Sequence, residues 1–322
     1  MAGSGEHLKA LLRSHASGDD ASFYAVARQV AAQEARRGHH KLAGELKSVI
    51  DAAKQERPPQ NVTSIARPRG DLAELIEVSI PEVSIKDLVL PAEVNSQVKQ
   101  VLFEQRQRKS LLDHGYFPVH RLLLEGPPGT GKTMTASVIA RELNLPLLTV
   151  RLDSLLSKYL GETAGKLRIV FDAVAAQRAV YLFDEFDALG AHRTGNDVGE
   201  ARRILNSFLV FLEQASAESI VIAATNHRSI LDRALFRRFD MVLTFDLPDI
   251  KSATTVMKMR LGKMAKGIHW FPLSEYMVGL SHADLVKAAE SAAKMSIMRQ
   301  DPIVHSEDLI FALKNRRSAS LG

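Results

Sequence analysis

The run Gly126, Pro127, Pro128, Gly129, Thr130, Gly131, Lys132 and Thr133 constrains this chain more than any other feature. It fits the pattern G-x-x-x-x-G-K-[ST] and has the flanks that pattern needs. The apolar run Arg121–Glu125 reads as a strand before it, and an apolar-periodic stretch reads as a helix after it. The glycines let main-chain N–H groups wrap phosphate oxygens, at a helix start where anions are favoured. Lys132 is then placed to neutralise β- and γ-phosphates, and Thr133 to ligate Mg²⁺. An incidental Gly/Pro turn ahead of a helix would not need all eight positions and both flanks.

A second signal lies further on, where the apolar run Ala179–Phe183 ends in Asp184 and Glu185. Two carboxylates at the end of a buried strand are costly unless a cation or catalysis uses them. Asp184 can hold the Mg²⁺ shell, and Glu185 can polarise a water that attacks a γ-phosphate. Alone, such a run is often only a strand end. Behind a phosphate loop in the same α/β unit, it points to nucleotide hydrolysis.

Short β-type runs alternate with helical stretches after residue 84, at Arg121–Glu125, Leu147–Arg151, Ala179–Phe183, Ser219–Ala223 and Met241–Phe245. That alternation predicts an α/β core around a mainly parallel sheet. Beyond Pro248 only helical patterns follow. At the other end, residues 5–57 read as three short amphipathic helices, with breaks at Gly18-Asp19-Asp20 and Gly38-His39-His40. The Pro-containing stretch Gln55–Gly70 reads as a linker. The expected organisation is a helical module over 1–57, a linker over 58–83, an α/β domain over 84–247 and a helical domain over 248–322. The small first module, tethered near the larger body, is expected to dock a partner.

Composition removes several alternatives. With 46% hydrophobic and 25% charged residues in 322, the chain is not disordered throughout. No apolar run approaches the ~18–20 residues of a bilayer span, and the N-terminus lacks the pattern of a secretory signal. There is no cysteine, hence no disulfide, thiolate metal site or cysteine nucleophile. These features predict a cytoplasmic protein without membrane contact. The net charge of +5 permits an anionic partner without implying one. No H-E-x-x-H is present, and no local Ser/His/Asp signature, so no protease is expected on this chain.

Four more motifs complete the pattern. Ala223-Ala-Thr-Asn226 closes a strand run, and Leu231–Asp240 contains the adjacent Arg237 and Arg238. Ser157–Thr163 contains Lys158, Tyr159 and Leu160 before Gly161, and Gly279–Leu285 reads Gly-Leu-Ser-His-Ala-Asp-Leu. With the phosphate loop and the carboxylate pair, these motifs resemble the AAA ATPases, in the group of katanin- and spastin-type remodellers, from about Ile85 to the end. The resemblance implies a P-loop AAA+ parallel-sheet core with a C-terminal helical lid, here preceded by a small helical bundle. It implies that Asn226 senses the γ-phosphate or the attacking water. Arg237 and Arg238 would be arginine fingers reaching a neighbour's site, where a finger is worth ~10³–10⁵ in rate. Lys158, Tyr159 and Leu160 would grip an extended polypeptide in a ring pore, and the backbone near His282 and Ala283 would face adenine.

The chain departs from the family pattern at three places. His282 replaces a glycine, the segment Ile85–Leu90 lacks the glycine of the usual adenine loop, and no Pro-Gly separates Arg237 from Arg238. The resemblance nevertheless implies an ATP- and Mg²⁺-dependent motor acting as a homo-oligomeric ring, expected to be a hexamer, that remodels or threads protein. An adaptor or a separate protease is the partner expected for residues 1–57. A nucleic-acid motor or loader on the same core has only the net charge in its favour, and the aromatic pore motif speaks against it. A nucleotide-gated scaffold that hardly hydrolyses is the other alternative, and the intact Asp184–Glu185 pair speaks against that.

Overall fold

Three strand segments carry uninterrupted apolar runs of three or more residues, and such strands must be covered on both faces. They are Arg121–Glu125 (β2), Val180–Phe183 (β4) and Ile220–Thr225 (β5). The computed structural model describes residues 70–155, 160–188, 198–227 and 233–321, with a few helical positions between 26 and 48. It divides the chain into two units, 1–63 and 64–322. In the second unit, β2, β4 and β5 join Ile76–Ser79 (β1), Leu147–Val150 (β3) and Met241–Thr244 (β6) in one six-stranded sheet of order β1-β3-β4-β5-β2-β6. All neighbours are parallel except the edge pair β1 and β3.

Successive residues of the central strands serve opposite layers. Leu122, Leu124, Val180, Leu182, Ile220 and Ile222 pack with Val98 and Val101 of helix Ala92–Arg106 and with Ile139 of helix Lys132–Glu142. Leu123, Tyr181, Phe183, Val221 and Ala223 face the other way, towards helices Leu160–Ala176 and Val198–Gln214. The second layer is rich in rings. Phe208 meets Phe171 at 5.6 Å, Phe183 at 5.0 Å and Phe186 at 4.5 Å between centroids. Phe186 directly follows Glu185, so this cluster anchors the turn that carries the carboxylate pair.

A third core lies in the C-terminal helices Ile250–Leu261, Ser274–Met277, His282–Met298 and Ser306–Leu321. Ala253, Ala288, Ala289, Ala292 and Ala312 let these helices approach closely around Met257, Leu285, Leu309 and Leu313. The first helix is capped by Asp249, which accepts from the Ser252 N–H at 2.7 Å, and the third by the Ser281–Asp284 capping box.

The sheet corrects one expectation. The stretch 58–83, expected to be linker throughout, contains the helix Asp71–Leu75 and all of β1. Ile76 pairs with Val150 and Ser79 with Leu147, and Ile76 and Val78 point inward while Glu77 and Ser79 do not. Four residues of alternation between Gly70 and Pro81 give too short a signal to outweigh the Pro-rich text around them. The remaining strands fall where the sequence places them, with ends shifted by one or two residues; β5 runs on to Thr225. Among the described residues no helix is long and apolar enough to cross a membrane. The expected three-helix module at the N-terminus lies almost wholly outside the described residues.

Phe208 is fully buried at the centre of the ring cluster. Phe208→Ala is therefore expected to cost about 3–5 kcal/mol, the usual penalty for removing a core phenylalanine. The denaturant midpoint reads this directly, and a loss below about 1 kcal/mol would show that the rings do not hold this layer.

Candidate active site

In an open parallel sheet, ligands gather outside the carboxyl ends of the strands. Three such ends meet here because β5 lies between β2 and β4. The phosphate loop leaves β2, Asp184 leaves β4 and Asn226 leaves β5. The registers Glu125 with Thr225 and Phe183 with Ala223 hold these exits nearly level. They open onto a cavity of about 800 Å³, within the range of small-molecule sites.

The loop's glycines are fixed by close approach. Gly126 has φ 145°, and a Cβ there would lie 2.1 Å from the Phe245 carbonyl oxygen, so no other residue fits. Gly129, at φ 74°, would place a Cβ 2.6 Å from Ser281 Oγ at the start of the lid helix His282–Met298. Its carbonyl instead accepts a hydrogen bond from the Ala283 N–H at 3.0 Å, tying the loop directly to the lid. Gly131, left-handed at φ 101°, turns the chain into helix Lys132–Glu142. The Thr130 hydroxyl braces the loop by donating to Pro127 O at 2.8 Å.

Lys132 is buried, and its ammonium donates to the carbonyls of Gly126 and Pro127, each at 2.8 Å. Burial pushes its pKa down, while Asp184 and Asp187 pull it back up. Its hydrogen-bond acceptors are two neutral carbonyls, which a phosphate can replace. One residue along, the Thr133 hydroxyl donates to Asp184 Oδ2 at 2.6 Å. A hydroxyl and a carboxylate oxygen side by side are hard donors of the kind Mg²⁺ takes. The glycine cradle fits a phosphate chain, so the residues present fit both groups.

Glu185 is exposed and sits at φ 51°, a left-handed conformation uncommon for a side chain with a Cβ. The turn is locked on both sides. The Glu185 N–H donates to Asp184 Oδ1 at 2.9 Å, and the Phe186 N–H donates to Ala224 O at 2.8 Å. The Asn226 N–H donates to Asp187 Oδ1 at 3.2 Å, which brings the Asn226 amide beside the carboxylate turn. Lys132, Thr133, Asp184, Glu185 and Asn226 all line the cavity. Such a set can bind phosphate, hold a divalent cation and take a proton from water.

His282 and Ala283 also line the cavity, joined by Val256, Met259 and Arg260 of helix Ile250–Leu261 and by Val286, Lys287 and Glu290 of the lid helix. The sequence reading missed these last six. Val256, Met259 and Arg260 stand at i, i+3 and i+4 on one helix, and Val286, Lys287 and Glu290 continue from Ala283 at i+3, i+4 and i+7 on the other, and this helical-face spacing is the signal that could have found them. Asp87, Leu88 and Val89 line the cavity as well, although their segment lacks the glycine of the usual adenine loop. Burial lowers the His282 pKa, and the Val89 main chain opposes this weakly.

Arg237 and Arg238 follow helix Arg233–Phe236, and among the described residues neither lines the cavity. Arg237 is exposed, whereas Arg238 pairs with Glu213 at the end of helix Val198–Gln214. Asp240, two residues on, pins this segment. Its carboxylate accepts from the His120 and Arg121 N–H groups at 3.0 and 2.9 Å, and from Arg121 Nε at 3.0 Å. Burial pushes its pKa up, but the bonds from His120 and Arg121 outweigh burial and hold it well below the carboxylate range. Lys158 and Tyr159 lie outside the described residues, and Leu160 begins helix Leu160–Ala176.

The profile of the ATPase family associated with various cellular activities (AAA) matches residues 122–247. An AAA family ATPase of Sinorhizobium fredii is 34% identical over 323 residues, covering 99% of this chain and 97% of that protein. A proteasome-activating nucleotidase of Methanoculleus marisnigri is 34% identical over 210 residues, 62% of this chain and 51% of its own length. The ATP-dependent zinc metalloprotease FtsH 1 of Phytoplasma mali is 30% identical over 265 residues, 78% of this chain and 44% of its own.

The Asp240 cluster generates a pH prediction. Its folded pKa lies below the unfolded value of about 3.9, so the stability it contributes is present above that pH and is lost as pH falls through the folded value. Asp240→Asn is therefore expected to lower the urea midpoint at pH 7 and to flatten its fall below about pH 4 relative to the unsubstituted chain. Equal midpoints at pH 7 would show that the pinning is dispensable.

Proposed function

The chain belongs to the AAA family of ATPases, and from that premise we propose that it is an Mg²⁺-dependent motor whose homo-oligomeric ring, expected to be a hexamer, uses ATP hydrolysis to remodel protein substrates. The observation that carries this reading is the convergence of Lys132, Thr133, Asp184, Glu185 and Asn226 on one cavity at the carboxyl edge of the sheet. Relatives named for activating a proteasome and for ATP-dependent proteolysis support a protein substrate. An adaptor or separate protease, engaged through residues 1–57, is the partner proposed, acting in the cytoplasm.

Each residue that lines the cavity has a role that its position supports. The N–H groups over Gly126–Thr133 wrap the phosphates, and Lys132 moves its ammonium from the carbonyls of Gly126 and Pro127 to the β- and γ-phosphates. Thr133 and Asp184 would hold Mg²⁺, which when bound supplies a Lewis acid that offsets phosphate charge. Glu185 orients the attacking water and accepts its proton as the water oxygen bonds to the γ-phosphorus and ADP departs. Asn226 orients that water or the γ-phosphate from between the loop and the carboxylates. Arg237, the more exposed arginine, reaches into the next subunit's cavity, and Arg238 with Glu213 braces the segment behind it. The backbone at His282 and Ala283 lies against adenine. The resemblance of Ser157–Thr163 to a pore loop supports a role for Lys158, Tyr159 and Leu160 in gripping the substrate.

ATPase turnover with added macromolecules tests this reading. An unfolded model protein such as casein is expected to stimulate turnover, whereas DNA and RNA are not. Glu185→Gln is expected to lower turnover at least about 100-fold while ATP binding persists, because an amide cannot accept the proton. Stimulation by nucleic acid alone, falling steeply with salt, would overturn the protein-substrate reading.

A further inference from the structure

Asn226 stands one residue beyond β5, which stops at Thr225, so the sheet no longer fixes its main chain. A backbone N–H at such a place needs an acceptor of its own. In a parallel ladder that acceptor is a carbonyl of the neighbouring strand. Here β4 stops at Phe183 and the chain turns, keeping one last main-chain bond to β5, from the Phe186 N–H to Ala224 O at 2.8 Å. A side chain takes the next place, where Asp187 Oδ1 accepts the Asn226 N–H at 3.2 Å. That distance is at the long end for N–H···O, and the carboxylate charge strengthens the bond. On the far side the His227 N–H donates to Oγ1 of the buried Thr225 at 3.1 Å. Asn226 is thus clamped by two side chains rather than by strand pairing.

Asp187 belongs to the same turn as Glu185. The Glu185 N–H donates to Asp184 Oδ1 at 2.9 Å, and its carbonyl accepts from the Ala188 N–H at 2.8 Å, so the turn is rigid on both sides of Glu185. Glu185 and Asn226 line the cavity, whereas Asp187 is not among its lining residues. One carboxylate therefore ties the turn that carries the base to the main chain that carries the amide. A misplacement of about 1 Å between such groups can cost about 100-fold in rate. The Asp187 charge is also felt by Lys132. That influence acts on phosphate binding, while the hydrogen bond acts on the chemical step, and the two give different kinetic signatures.

We propose that Asp187 is a positioning residue for hydrolysis. By binding the Asn226 main chain, it holds Asn226 and Glu185 at the separation at which both address one water molecule. It acts through those two residues and not on the nucleotide. This inference rests on the reading of Glu185 as the group that takes the proton of the attacking water.

Steady-state ATP hydrolysis and binding of a non-hydrolysable ATP analogue, both on the full chain, test this role. Asp187→Ala is expected to lower kcat about tenfold or more, while KM and analogue affinity stay within about twofold. Asp187→Asn keeps an oxygen at the same place and should hold kcat within about threefold of the unsubstituted protein. Asp187→Glu keeps the charge but shifts the oxygen by a methylene group, and should be nearly as slow as Asp187→Ala. If Asp187→Ala does not fold, the order of Asp187→Asn and Asp187→Glu decides alone. In an Asn226→Ala background, Asp187→Ala should cost less than about twofold more, because the group it positions is gone. A fast Asp187→Glu beside a slow Asp187→Asn, altered analogue affinity in Asp187→Asn, or fully additive losses with Asn226→Ala would each overturn the proposal. Normal turnover in Glu185→Gln would instead overturn the reading of Glu185 beneath it.

Discussion

One short hydrogen bond, from the Thr133 hydroxyl to Asp184 Oδ2 at 2.6 Å, joins the two halves of the site. Its partners are 51 residues apart and leave strands that are not neighbours, since β5 lies between β2 and β4. The bond can form only if three things hold together. The left-handed Gly131 must start the helix at Lys132, the sheet must keep its registers, and the turn after Phe183 must be locked. The aromatic cluster of Phe183, Phe186 and Phe208 serves the last of these, so packing in the hydrophobic layer fixes the position of a polar pair at the edge.

The lid is bound into the same arrangement by Gly129. Its carbonyl receives the Ala283 N–H, and the absence of a side chain leaves room for Ser281. A cavity walled by both the loop and the first turn of the lid helix changes shape when either moves. Loss of the γ-phosphate at the loop would therefore be felt at the lid through a main-chain contact. That is a physical route by which hydrolysis could become motion between the α/β core and the helical region.

What was legible in the sequence was what depends on local backbone geometry. The phosphate loop, the Asp184–Glu185 turn and the apolar strands could all be read, because glycine placement and uninterrupted burial leave a mark within a few residues. What depends on distant partners was harder. Strand β1 has four residues and draws its stability from β3, some 70 positions away in the chain. Asp240 was read only as the end of an arginine motif, because its partners His120 and Arg121 lie 120 and 119 residues earlier. Asp87, Leu88 and Val89 line the cavity without the glycine that normally marks such a loop, so position rather than residue type defines them.

The central claim is that Thr133 and Asp184 act as one unit that holds a cation against the phosphates. A double-substitution cycle on the Mg²⁺ dependence of binding a non-hydrolysable ATP analogue addresses it most directly. Thr133→Ala and Asp184→Asn should each remove most of the affinity gained on adding Mg²⁺, and the double substitution should lose little more than either alone. Additive losses, or a Mg²⁺ gain that survives both substitutions, would contradict it.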